Sequence, residues 1–415
     1  MSRLRTVRRL AALFSATCLL AACHRAPPTE LVAGAYRAVL TLPGGELPFG
    51  LTIAVADGRP PVAYVLNGAE AVHITEFAHE GTTLVLRLPG SANRLELSAD
   101  PGGYHGEAVI VRPGDALARL PLRVVRGERH RFATVAPKIP SRIGGRWALT
   151  FKAADGRQRS AVGEFKQLGS RLFGTILGSD GDHRYLEGDV TESEVLLSSF
   201  DGSSASLYRA KINADGSLSG HWWSGNWAAE EFTAHAEDSA HVEMAPLLSA
   251  PAPMRLSFSF PDLAGKAVSL ADERFHGKVV IVAACGTWNL RCHDQATFLA
   301  TLYKTFKTDG LEIVSLQFEA LAERAAAIEV NRRFVALYGI EWPVLLAGPA
   351  DLAAASQALP ALAPLRAFPT TVLIARDGQV RRLQTGFVGP ASGLHQEDFR
   401  HEFTDALRAL LAEKP

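Results

Sequence analysis

The chain has 415 residues, 43 basic and 43 acidic side chains, a formal net charge of zero and 47% hydrophobic residues. That length exceeds one ordinary core and implies two or three domains. The balanced charge, with no Lys/Arg-rich run beyond Arg9, gives no electrostatic footprint for nucleic acid, so protein or small-molecule partners are expected instead.

Residues 1–22 read as a signal peptide. Arg3, Arg5, Arg8 and Arg9 form a basic leader, and Leu10 to Leu20 form an apolar core too short to span a bilayer. It ends in Leu20-Ala21-Ala22-Cys23, which resembles the lipobox of bacterial lipoproteins. That resemblance implies cleavage before Cys23, acylation of Cys23 and a lipid anchor facing the periplasm, and His24 in place of an aspartate resembles lipoproteins of the outer rather than the inner membrane. The alternative is a plain secretory signal with a chance cysteine. Of the four cysteines, Cys18 leaves with the signal and Cys23 takes lipid, so Cys285 and Cys292 remain as thiols, in a compartment where a disulfide can persist.

Residues 23–30, with Pro27 and Pro28, are expected to be a tether. From there to residue 240 the runs are short and apolar or alternating, and Asp57-Gly58, Asn67-Gly68, Asp155-Gly156 and Asp215-Gly216 punctuate them as turns. This is an all-β meander region. A weak repeat with a period of about 110 residues sets Gly34 to Thr41 beside Gly145 to Thr150, and Leu95 to Gly106 beside Leu207 to Gly220. The repeat predicts two units, 31–136 and 141–240, each a barrel or sandwich of roughly eight strands. His73 and His79 flank a strand. Asp180 and Asp182 lack the downstream acid of a calcium loop and read as turn chemistry. Trp222, Trp223 and Trp227 read as barrel core or rim, with ligand stacking as the alternative.

A Pro/Ala-rich linker over 241–253 precedes an α/β pattern over 254–415. Val279 to Ala284 is an uninterrupted apolar run, as in a strand buried on both faces. Asn289 opens a helix whose apolar residues Leu299, Leu302, Tyr303 and Phe306 recur at three and four, and Gly310 closes it. A strand is expected over 311–318, a helix over 320–338, a short strand over 343–346, strands over 370–375 and 380–384, and a final helix over 395–413.

This order, with Phe368-Pro369 before the third main strand, resembles the thioredoxin fold and more nearly the TlpA-like thiol-disulfide oxidoreductases. The stretches that carry the likeness are Gly277 to Val282 leading into Gly286-Thr287-Trp288, Tyr303 to Val314, Ala367 to Thr371, Pro343 to Gly348 and Thr385 to Pro390. Carried over residue by residue, the family's Trp-Cys-x-x-Cys falls on Trp288-Asn289-Leu290-Arg291-Cys292, so the resemblance puts Asn289 where the attacking cysteine stands and Cys292 at the resolving one. Asn289 forms no thiolate and is instead a good helix N-cap. Pro369 falls on the family's cis-proline.

Two functions are implied. One is a redox protein acting on protein thiols or disulfides through Cys292, with Cys285 as a possible partner thiol. The other is a binding module that has lost exchange and recognises a protein or ligand. A metal site from Cys285, Cys292 and His293 lacks the ligand count and the spacing, so no metal and no cofactor are expected. His293 reads as a surface residue of the first helical turn, and the two cysteines as inert thiols more readily than as a bridge.

Overall fold

A computed structural model describes residues 29–132, 140–251 and 253–413. The signal peptide, the lipobox with Cys23 and most of the tether lie outside the described residues.

The first unit is one antiparallel sheet of nine strands: β1 (Gly34–Leu42), β2 (Gly45–Ala54), β3 (Val62–Asn67), β4 (Glu70–Ile74), β5 (Glu76–Glu80), β6 (Thr83–Arg87), β7 (Arg94–Asp100), β8 (Gly103–Arg112) and β9 (Ala116–Arg126). Its spatial order is β4-β3-β2-β1-β9-β8-β7-β6-β5, so β4 and β5 are the free edges. Alternation sets the register: in β9 every second residue from Ala118 to Val124 is buried and those between are exposed.

The second unit contains β10 (Gly145–Lys152), β11 (Gln158–Leu168), β12 (Arg171–Gly178), the two-residue β13 (Gly181–Asp182), β14 (Leu186–Val190), β15 (Glu194–Phe200), β16 (Ala205–Ile212), β17 (Leu218–Ser224) and β18 (Ala228–Ala236). Here β11 pairs with both β10 and β12, so β10, β11, β12 and β14 to β18 close on themselves. Closure removes the free edges and makes an eight-stranded barrel. In both units the last long strand returns to the first, β9 on β1 and β18 on β10. At the turn between β3 and β4, Gly68 has φ 54°, a left-handed conformation that glycine adopts without a Cβ penalty.

The two units share a core. Phe200, Ala205 and Leu207 of the second are buried with Leu47, Phe49 and Leu86 of the first, and Trp223 and Trp227 pack on the same cluster. Asn67, fully buried, donates to the Phe200 carbonyl at 2.7 Å and accepts from its amide at 3.0 Å. Trp222 turns the other way, into the barrel's own core.

The C-terminal domain has a six-stranded sheet in the order β19-β26-β25-β22-β23-β24. Its elements are β19 (Leu247–Ser249), β22 (Val279–Cys285), α1 (Leu290–Phe306), β23 (Leu311–Glu319), α2 (Arg324–Tyr338), β24 (Val344–Pro349), α3 (Leu352–Ala358), β25 (Thr370–Ile374), β26 (Val380–Thr385) and α4 (Leu394–Ala412). A small hairpin, β20 (Ser259–Pro261) and β21 (Ala267–Ser269), precedes β22. Every residue of β22 is buried, with β23 parallel on one side and β25 antiparallel on the other. Gly310 and Gly339, at φ 99° and 59°, end the helical segments that precede them.

Three sequence expectations change here. The segment 241–253 is more than a linker: β19 pairs with β26, and Ala245 is buried in the C-terminal core. Helix α2 starts at Arg324 rather than at residue 320, capped by Glu323. The Ala320 carbonyl instead accepts from the Asp115 amide of the first β-unit at 3.0 Å. Helix α3 was not expected, because its Ala-rich sequence has little periodicity.

Among the described residues, the non-glycines with positive φ are Asp115 (60°), Arg184 (61°) and Ala245 (42°). Such a conformation costs about 1 kcal/mol or more per residue and persists where its surroundings over-determine it. Each makes a contact between the β-region and the C-terminal domain: Asp115 with Ala320 and Ala322, Arg184 with Asp294, and Ala245 with Ser179 and Gln384. The strain is concentrated where the domains join.

Candidate functional site

The C-terminal end of β22 and the first turn of α1 bring together the residues named from sequence. Asn289 is the N-cap, with extended backbone at φ −107° and ψ 115°, and its Oδ1 accepts from the Arg291 amide at 3.0 Å. Its Nδ2 donates to the Phe368 carbonyl at 2.8 Å. One side chain thus closes the helix start and ties it to the loop carrying the cis Phe368-Pro369 bond. Trp288 packs edge-on against Phe368, with ring centroids 6.1 Å apart, and donates from Nε1 to the Phe318 carbonyl at 2.9 Å.

The two thiols lie behind this surface. Cys292 is 1% exposed and its sulfur accepts from the Gly286 amide at 3.4 Å. Cys285 is also buried and donates to Gln295 Oε1 at 3.2 Å, while Gln295 Nε2 donates to Thr371 Oγ1 at 2.6 Å. Both cysteines are free. Burial first, and then the hydrogen bond with Cys292, push the Cys285 thiol well above its ordinary value. A thiol held protonated and out of solvent is a poor nucleophile.

His293 is not the surface residue expected. It is buried, with Nε2 2.7 Å from the Thr287 carbonyl and Nδ1 2.9 Å from the Tyr338 hydroxyl. The carbonyl only accepts, so Nε2 carries the hydrogen and Nδ1 accepts from the tyrosine. Burial holds the imidazole neutral, with its pKa lowered to about 4. The helical face that looked solvent-facing is covered by Phe334 and Tyr338 of α2 and approached by Gly90 of the first β-unit. Sequence reading also missed Glu319. Its buried carboxylate accepts from the Thr287 amide at 3.1 Å and from Asn331 Nδ2 at 2.9 Å, and burial raises its pKa. A charge at the end of an otherwise apolar strand was the available signal.

Asp180 and Asp182 are more than turn residues. Arg291 Nη1 donates to Asp180 Oδ2 at 2.6 Å and Nη2 to the Asp182 carbonyl at 3.2 Å, which docks the first turn of α1 on the barrel. Beside them Arg184 pairs with Glu70 of the first unit and Asp294 of α1. Side-chain exposures of 7% for Glu70, 12% for Arg184 and 15% for Asp294 make this a largely dry junction of all three domains. Burial pushes Glu70 up to about 7 and Asp294 up to about 6, against the pull of the single guanidinium. A cavity of about 770 Å³ lies between the barrel end and the start of α1, and Asn289 and Arg291 line it.

The arrangement stabilises a helix start, excludes water from two thiols and encloses a polar space. Among the described residues no group of His, Cys, Asp and Glu is arranged to hold a metal ion, and no helix is long and apolar enough to cross a membrane.

Residues 249–396 match the redoxin family. Over 130 residues the chain is 32% identical to the thiol-disulfide oxidoreductase ResA of Bacillus subtilis (strain 168), covering 31% of this chain and 64% of that protein. Over 124 residues it is 30% identical to ResA of Bacillus thuringiensis subsp. konkukian (strain 97-27), covering 30% and 63%. The chain therefore spans just under two thirds of the length of these relatives. A solved thiol:disulfide interchange protein of the thioredoxin family from Chlorobium tepidum TLS is 21% identical, covering 40% of this chain and 100% of that one, with a TM-score of 0.30. The family match and the likeness to ResA coincide with the sheet and helices built around β22, and the C-terminal domain of this chain belongs to the redoxin family, as a TlpA-like domain of thioredoxin fold.

Proposed function

We propose that the protein is a lipid-anchored envelope protein, acylated at Cys23 and facing the periplasm from the outer membrane. Its domain of the thiol-disulfide oxidoreductase class has dithiol exchange suppressed. Asn289 carries this reading. At the position that the resemblance gives to the attacking cysteine, it makes a helix cap and a bond to Phe368, and neither needs nor leaves room for a thiolate. Cys292, 1% exposed behind it, has no path to a protein disulfide in this arrangement. Protein thiols or disulfides remain the partner class of the domain. Reduction of insulin disulfides by the soluble chain and by its Asn289→Cys variant tests the reading: the wild type should be far slower, and equal rates refute it.

A second reading, a binding module, is favoured by the way Arg291 and Arg184 hold the active-site edge against the barrel. In that reading the β-units present a ligand or protein site and the thioredoxin-like domain serves as its wall.

A further inference from the structure

The barrel's open end is built as a site, and its strand wall has no part in thiol chemistry. Eight-stranded barrels are wide enough to hold one small ligand at an end, and the cavity of about 770 Å³ falls within the range of small-molecule sites. Three serines stand side by side across the strands that form its wall: Ser199 faces Ser206, and Ser206 faces Ser224. One residue pair deeper, Tyr208 faces Trp222 and Trp222 faces Glu230. Two groups on this wall have no hydrogen-bond partner among the described residues although both atoms are buried: Ser199 Oγ, on a residue 3% exposed, and Trp222 Nε1. An unpartnered buried donor costs about 1–3 kcal/mol, so each is a place where a ligand gains what the protein lacks.

The charges decide what kind of ligand fits. Arg159 donates twice to Glu230, at 3.0 and 2.7 Å, Arg291 is paired with Asp180, and Arg184 is paired with Glu70 and Asp294. Among the described residues, Asp182 and Asp201 also line the cavity outside any ion pair, with carboxyls that burial raises toward the neutral form, and Arg366, at the exposed rim, has no ion pair. The paired charges cancel and the two unpaired buried carboxyls are held toward the neutral acid, so neither a cation nor an anion is selected, while lone pairs and N–H groups not used in the pairs stay available. His183 adds a neutral imidazole, since burial first and the neighbouring arginines next lower its pKa to about 3. Tyr208, His183 and Arg159 already pack on the Trp222 ring, so its unpartnered Nε1 edge is what it offers a ligand. A wall of hydroxyls, paired ions and one indole N–H fits a molecule whose own groups both donate and accept at close spacing and carry no charge.

We infer that the barrel end is a binding site for a neutral polyhydroxylated molecule of mono- or disaccharide size, closed on its far side by Asn289 and Arg291 of the thioredoxin-like domain. The inference rests on the binding-module reading and is independent of whether exchange is suppressed.

Calorimetric titration of the full chain with glucose, N-acetylglucosamine and maltose, beside the charged comparators glucuronate and glucosamine, tests it. Saturable binding of at least one neutral sugar is expected, with the charged comparators weaker. Ser199→Ala and Trp222→Phe should each weaken that binding about tenfold, the loss of one hydrogen bond, with the unfolding midpoint of Ser199→Ala unchanged. No saturable binding of any neutral probe overturns the site, as does tighter binding of a charged comparator, or wild-type affinity in Ser199→Ala. Insulin reduction by the Asn289→Cys variant is scored separately, so failure of the sugar site and failure of the suppressed-exchange reading remain distinguishable.

Discussion

Asn289 and Phe368 are joined side chain to backbone, 2.8 Å from Nδ2 to the carbonyl oxygen, across the gap between the start of α1 and the loop before β25. The other end of the same amide caps α1. Two functions of one side chain separate by substitution. Asn289→Ala should lower stability by about 2 kcal/mol, the cap and the lost bond together, whereas Asn289→Ser keeps the cap and should lose about 1 kcal/mol. Urea unfolding with unchanged m-values measures both. Equal losses in the two variants contradict the division.

Burial of both thiols gives a chemical prediction. In a chain starting at Thr29, an aromatic disulfide reagent should label neither Cys285 nor Cys292 under native conditions and both in denaturant. Labelling of either in the native protein at the denatured rate contradicts the burial. Failure of both to label in denaturant, with recovery after reduction, reveals a bridge instead.

Much of the C-terminal fold was legible because it rests on local rules. The apolar run Val279 to Ala284 is β22, buried throughout, and Gly310 is where it was placed, at a left-handed helical end. Three of the misses share one cause. His293 is covered by α2 and approached by Gly90, Asp180 meets Arg291, and Ala320 meets Asp115, all across long sequence separations that no local pattern encodes. Asn289 was legible as a cap, but its bond to Phe368 was not, because it spans 79 positions. The ion pairs of Arg184 were invisible for the same reason: its sequence neighbourhood reads as a polar turn.

His293 sets a pH dependence. Its folded pKa is about 4, below the ordinary histidine value of 6.5, because the buried ring excludes a proton. The neutral ring's contribution is therefore complete above about 6.5 and is lost as pH falls through that window toward 4, to an extent of about 3 kcal/mol. Glu70 and Asp294, raised by burial, act in the opposite sense over an overlapping range, so wild type alone does not isolate the histidine. The difference between wild type and His293→Gln does: the variant's stability should fall less steeply from pH 6.5 to 4, by about one proton. Parallel curves contradict the assignment.

The strand β19 gives a boundary test. A fragment beginning at Met244 retains β19 and buried Ala245, and it should unfold cooperatively. A fragment beginning at Met254 loses that edge strand and the bond from the Ala250 amide to the Arg381 carbonyl, so it should be less stable by about 1–2 kcal/mol. Identical midpoints show that 244–253 is a tether after all.

Among the described residues, Arg184 is the one that touches all three domains through charge, and its removal has a signed consequence. Arg184→Met leaves Glu70 and Asp294 facing each other's domains without a cation, in a junction where both carboxyls are already held above their usual range. Removing one partner of a buried ion pair costs about 3 kcal/mol when the remaining charge stays ionised. A carboxyl that is protonated carries no such charge, so the loss should be largest near pH 8, above both raised values, and should shrink as pH falls toward 5. Glu70→Gln with Asp294→Asn in the Arg184→Met background removes the uncompensated charges and should recover most of the stability at pH 8. Thermal unfolding at the two pH values, with limited proteolysis to report separation of the domains, reads the outcome. A pH-independent loss, or no recovery in the triple variant, means that Arg184 acts through packing of its side chain and not through its two carboxylates.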